Sequence, residues 1–107
     1  MPLYHKLVRD AIPNIIDQNG KKATFRTLDE NEFLVEAKKK LHEEFAEYEE
    51  ATTDADAVEE LADLLELIQA LAKTHGVTVE ELEAVRQKKQ QQRGGFEERL
   101  YLIEVED

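Results

Sequence analysis

The stretch "LHEEFAEYEEATTDADAVEELADLLELI", residues 41–68, decides how this chain folds. Apolar residues recur at helical spacing on both sides of "TTDAD" (residues 52–56), whose threonines and aspartates are turn and capping residues. Phe33, Leu34, Ala37, Leu41, Phe45 and Tyr48 predict a long helix from about Asp29 to Glu50. Val58, Leu61, Leu64, Leu65, Ile68 and Leu71 predict a second, running to about His75 and ended by Gly76. The second is apolar over half its circumference and should lie centrally. The hairpin is also where the charge resides. Residues 41–72 hold eleven Asp and Glu and no Lys or Arg, while acids and bases balance over the rest, so the whole net charge of −11 sits here. Like charges crowded together oppose folding unless something offsets them.

Four of these acids have an ordered spacing. Glu44 and Glu47 lie three apart on the first helix, and Glu60 and Asp63 three apart on the second. Residues so spaced point the same way along a helix. An antiparallel hairpin symmetric about residues 53 and 54 sets Glu47 level with Glu60 and Glu44 level with Asp63. The four carboxylates then form a rectangle between two helices, a cage suited to a hard divalent cation. On the helical wheel Glu44 falls inside the apolar arc, flanked by Phe33, Ala37, Tyr48 and Ala51, whereas Glu43, Glu49 and Glu50 fall outside it. A carboxylate aimed at a helix seam is costly unless paired or metal-bound. The bland alternative is that the acidic run is a solvated face.

Outward from the hairpin, "RDAIPNIIDQNG" (residues 9–20) predicts a short helix with Asp10 as N-cap, Pro13 in the first turn and Gly20 as the stop. "VTVEELEAV" (77–85) opens a further helix with a Thr78–Glu81 capping box and a Val77–Leu82 staple, running to "RGG" at 93–95. "KATFRTLD" (22–29) and "RLYLIEVE" (99–106) alternate as strands do, and leave room for a small two-stranded element. The expected architecture is all-α: one domain over residues 1–107, a helical bundle built on the long antiparallel hairpin.

Composition narrows the function. The chain has no cysteine, which excludes disulfides and thiolate chemistry, and no serine, the commonest hydroxyl nucleophile. Its acidity argues against binding a nucleic-acid polymer. "MPLYHKLVRD" lacks the apolar core of a signal peptide and no apolar run reaches membrane-spanning length, so a cytoplasmic protein with no membrane partner is expected. A lone domain of this size buries only about two thirds of its unfolded surface, so self-association is expected.

Magnesium held by carboxylates commonly serves phosphate substrates, and a phosphoanhydride hydrolase also needs a basic group for the distal phosphates. "RQKKQQQRGGF" (86–96) offers Lys89 and Arg93, four apart on one helix face before a Gly-Gly break; their bland reading is favourable placement at a helix C-terminus. Lys6 and Arg9 in "HKLVRD" are further candidates for the same task.

"EEFAE" at 43–47 and "ELAD" at 60–63, twelve residues apart, resemble the EExxE–x12–ExxD signature of the MazG-like superfamily of nucleotide pyrophosphohydrolases. "KLVRDAIPNII" (6–16) and "KKQQQRGGFEERLYL" (88–102) resemble a subgroup described as phosphoribosyl-ATP pyrophosphohydrolase-like. The subgroup commonly carries Lys after "VRD", where this chain has Ala11. The resemblance implies a helical homodimer or homotetramer that binds Mg²⁺ (or Mn²⁺) and hydrolyses a nucleoside triphosphate or related nucleotide between the α and β phosphates. It implies Glu44, Glu47, Glu60 and Asp63 as metal ligands, with Glu43 beside them in the catalytic set. Water is then the nucleophile, and His5, His42 and His75 need no role. Two other functions stay open at this level: phosphoribosyl-ATP hydrolysis in histidine biosynthesis, and a non-catalytic acidic binding module.

Overall fold

A computed structural model of the chain describes residues 2–107. It contains four helices: α1 (Ile12–Gln18), α2 (Glu30–Glu50), α3 (Asp54–Thr74) and α4 (Val79–Arg93). Helices α2 and α3 pack along each other as a hairpin, and α4 packs more briefly on α3, which is therefore the central helix as its apolar circumference predicts. No described helix is long and apolar enough to cross a membrane.

Local chemistry fixes the helix ends. Asp29 accepts from the backbone N–H of Glu32 at 2.8 Å while the Glu32 carboxylate accepts from the backbone N–H of Asp29, a reciprocal capping box. Arg26 grips the same Glu32 carboxylate with both terminal nitrogens, at 3.2 and 2.7 Å, tying the preceding loop to the helix start. Thr53 caps α3 through the N–H of Asp56. Thr78 and Glu81 form the second capping box, as their spacing predicts. Helix α3 stops where Gly76 turns to φ 79°, with the N–H of Gly76 donating to the Lys73 carbonyl and that of Val77 to the Ala72 carbonyl. That pair of bonds is the Schellman arrangement, which needs a residue of positive φ.

Two expectations fail. Asp10 is not the N-cap of α1: Ala11 precedes the helix with dihedrals already helical (φ −83°, ψ −9°), and no side chain caps it. The chain enters α1 through a turn in which the N–H of Ile12 donates to the Arg9 carbonyl, so no extended residue is there to be capped. The two-stranded element also does not form; among the described residues there is no strand. Phe96, Leu100, Tyr101, Leu102, Ile103 and Val105 are 76–96% exposed, and an isolated strand pair has too little to pack against to be stable.

The single chain has a thin core. Ala37 and Ala72 are the buried apolar residues among those described, and no large side chain is fully enclosed. The radius of gyration is 18.3 Å, against about 13 Å for a compact chain of similar length.

Candidate metal centre

Glu44 is the buried acidic residue of the seam, 8% exposed, where its wheel position predicts. Three facts of local sequence put it there: α2 carries it in register with Ala37 and Leu41, α3 presents Glu60 opposite, and the connection between them is only Ala51–Thr53. Carboxylate oxygens of Glu44, Glu47 and Glu60 lie within 4.8 Å of one another. Glu47 is exposed and Glu60 half-buried, so the cluster grades from the seam out to solvent.

Asp63 stands beside this cluster rather than in it. The hairpin turns about residue 52, because α2 ends at Glu50 and α3 begins at Asp54 under its Thr53 cap. Symmetry about 53 and 54 would have set Glu44 level with Asp63; the observed turn sets it level with Glu60. Asp63 falls one turn further along α3, near enough for its charge to act on Glu44. Its carboxylate is engaged by Arg9, whose Nη2 is 2.5 Å from Asp63 Oδ1. Glu43 is exposed on the outer side of α2.

The electrostatics follow from burial and crowding. Loss of solvent pushes Glu44 up to about 7, helped by a proton-sharing contact with Glu60, another with Glu47, and the charges of Glu47 and Asp63. Glu60 accepts the Glu44 proton, which pulls it down, but desolvation together with Glu47 and Asp63 outweighs that and leaves it raised. With both groups ionised neither has a donor to meet it: Glu44 Oε2 and Glu60 Oε2 are buried and unpartnered. A buried acceptor without a donor costs about 1–3 kcal/mol, more when charged. One proton between the two carboxylates relieves the repulsion, and so does a divalent cation coordinated by both. Oxygen donors from three side chains, two with unpartnered buried oxygens, fit a hard cation such as Mg²⁺ or Mn²⁺.

The basic candidates are dispersed. Lys89 and Arg93 are exposed on α4 and make no ion pair among the described residues. Lys6 is exposed on the N-terminal segment, its Nζ 5.6 Å from the centre of the Tyr4 ring. Arg9 reaches the acidic hairpin directly. Lys40 was missed by the sequence reading. Its side chain is 20% exposed, and its Nζ stands 4.0 Å from Glu44 Oε1, too far to satisfy that oxygen but close enough to bias the seam. The signal was its place one helical turn before Glu44, just outside the acidic segment.

A family model described as phosphoribosyl-ATP pyrophosphohydrolase matches residues 11–90, from the turn into α1 to within three residues of the end of α4. No curated protein and no solved structure matches the chain.

The raised Glu44 carries a stability signature. An acid whose folded pKa exceeds its unfolded value stabilises the fold fully below the unfolded pKa, and loses that contribution as pH rises through the folded one. Metal-free protein should therefore lose stability between pH about 4.5 and about 7, then level off. Urea denaturation in EDTA across that range measures it. Glu44→Gln should flatten the slope and be more stable than the parent at pH 8 by on the order of 1 kcal/mol. Glu49→Gln, on the outer face, should behave like the parent. A Glu44→Gln protein that is weaker at pH 8 would make Glu44 a structural hydrogen-bonding acid.

Proposed function

The chain belongs to the phosphoribosyl-ATP pyrophosphohydrolase family of the MazG-like superfamily, a group of nucleotide pyrophosphohydrolases, and we propose that it is a Mg²⁺-dependent enzyme cleaving the α–β phosphoanhydride of a nucleoside triphosphate. Water is the nucleophile, and the products are the monophosphate and pyrophosphate. The observation that carries this reading is the Glu44–Glu60 pair, whose buried oxygens lack partners and lie within 4.8 Å of a Glu47 oxygen. A family that works on phosphoanhydrides supplies a reason to maintain so costly an arrangement.

Glu44, Glu47 and Glu60 hold the cation, and Asp63 completes the set from the next turn of α3. When bound, the cation neutralises phosphate charge and makes water a better nucleophile at neutral pH. Glu43, outside the cluster, is available to orient that water. Lys89 and Arg93 hold the distal phosphates, free of competing acids and leading into the backbone break at Gly94. Lys6 is a secondary phosphate contact on the N-terminal segment.

A second reading concerns the substrate alone. The description of the matching family favours phosphoribosyl-ATP, which carries the same triphosphate on a modified base. A panel of the common nucleoside triphosphates and phosphoribosyl-ATP, assayed for pyrophosphate release with Mg²⁺ and with EDTA, separates the two. Release from at least one of them only with metal is expected. Silence across the whole panel, from protein that binds Mg²⁺, would leave a non-catalytic module.

The working form is a homodimer or homotetramer. On α3, Val58, Leu61, Leu65 and Ile68 form a stripe at alternating spacings of three and four, yet are 62, 47, 53 and 43% exposed in the single chain. Such a seam is suited to a second helical surface. A second copy is the partner that every molecule of this chain has to hand.

Two outcomes test these assignments. Lys89→Ala and Arg93→Ala should raise KM for the triphosphate with little change in melting temperature; unchanged kcat and KM in both would return these residues to a helix-end role. Leu65→Glu should shift the protein toward monomer in light scattering. A parent that already scatters as a monomer at micromolar concentration would refute the oligomer.

A further inference from the structure

Beside the acidic seam α3 carries a second row of acids, and one cation from the other end of the sequence lies across it. Glu60, Asp63 and Glu66 succeed one another at three-residue spacing. Glu60 is half-buried in the seam, whereas Asp63 and Glu66 face Arg9. The guanidinium places Nη2 at 2.5 Å from Asp63 Oδ1 and Nη1 at 4.0 Å from Glu66 Oε1. Arg9 lies just before the turn into α1 and outside the residues that the family model matches, and it meets an acid 54 positions away. The neighbouring Leu7 and Val8 are half-buried, so the segment that carries it is held down.

We propose that Arg9 is an internal competitor for the metal site: its guanidinium holds Asp63, and a divalent cation that recruits Asp63 must displace it. This rests on the metal-binding role given to Asp63 above. A guanidinium is a permanent cation whose fork of N–H donors matches a carboxylate, so it occupies the same oxygens a metal would use. It opposes an incoming cation in two ways, by occupying a carboxylate oxygen and by placing a positive charge at the edge of the cluster. Competition for one ligand is reciprocal, so whatever Arg9 takes from metal affinity the metal takes from the Arg9–Asp63 contact. The N-terminal segment and the metal site are coupled through this one ion pair. Its function is to keep the metal exchangeable and the unloaded acids partly neutralised.

The ion pair is partly exposed, with side chains 54 and 38% accessible, so the effect is small and is largest at low ionic strength. Mg²⁺ binding to the full-length protein by calorimetry in low salt is the direct test. Arg9→Gln should bind about two- to fivefold more tightly than the parent, the scale of a single partly exposed pair. Arg9→Lys, which keeps the charge, should stay nearer the parent. In an Asp63→Asn background, which itself binds more weakly, adding Arg9→Gln should give a smaller gain than in the parent, because only the charge effect of Arg9 is left to remove. A gain as large as in the parent overturns the competition for Asp63. The second readout is NMR of the Arg9 side-chain Nε–H, identified by its loss in Arg9→Gln. Mg²⁺ should shift it in the parent and leave it in place in Asp63→Asn. Equal or weaker Mg²⁺ binding by Arg9→Gln, or an unmoved Nε–H in a parent that binds Mg²⁺, overturns the competition and leaves the metal site standing. If neither parent nor variant binds Mg²⁺, the metal site itself is refuted, and the competition with it.

Discussion

A carboxyl group enclosed between two helices, with a second carboxyl facing it, cannot be left ionised without cost. Glu44 is that group, and Glu60 is its neighbour across the seam. If stability were the only requirement, an apolar pair of similar volume would serve the hairpin better, because removing both polar partners is close to neutral while stranding one is expensive. The seam instead keeps two acids opposed, lines a third beside them and flanks them with Lys40 and Arg9. The arrangement becomes economical only when a positive species is shared among the acids. A shared proton brings one positive charge to the acids and a divalent cation two.

The rest of the structure is arranged around holding that seam in register. A three-residue connection and a threonine cap set the turn, and the turn sets which acids meet. A capping box braced by Arg26 fixes the start of α2, and a Schellman stop followed by a second capping box leads from α3 to α4. What the single chain lacks is bulk. Its buried apolar residues are alanines, and the large side chains of α3 divide between the seam with α2 and an open stripe. A second helical surface laid on the open stripe, as proposed for another copy of the chain, would add burial to this thin hairpin and stiffen the acid pair.

Much of this was legible in the chain, and the failures have physical causes. Both long helices, their capping residues and the inward aim of Glu44 follow from periodicity and cap chemistry, which act over a few residues. The set of acids that meet across the seam depended on the midpoint of the turn. There a choice among Thr52, Thr53 and Asp54 as N-cap moves the register by two residues, about half a helical turn, enough to change which acid of α3 faces Glu44. Asp10 looked like a cap because its type suits one, but capping also needs an extended backbone, and Ala11 is helical. The tail alternates like a strand because its residues do, and alternation cannot supply the partner a strand needs. The contact of Arg9 with Asp63, across 54 positions, has no local signal at all.

The measurement closest to the central claim is the proton balance of metal binding. Ligand carboxylates must lose their protons to coordinate, so a cation entering a seam whose acid titrates near 7 has to expel one. Calorimetric titration of the protein with Mg²⁺ at pH 6.5, repeated in buffers of different ionisation enthalpy, gives the number of protons released per ion. Release of about half to one proton, falling toward zero at pH 8 and lost in Glu44→Gln, is the predicted result. Binding with no proton release at pH 6.5, or with the same release in Glu44→Gln, would contradict it and put the metal elsewhere than the Glu44–Glu60 pair.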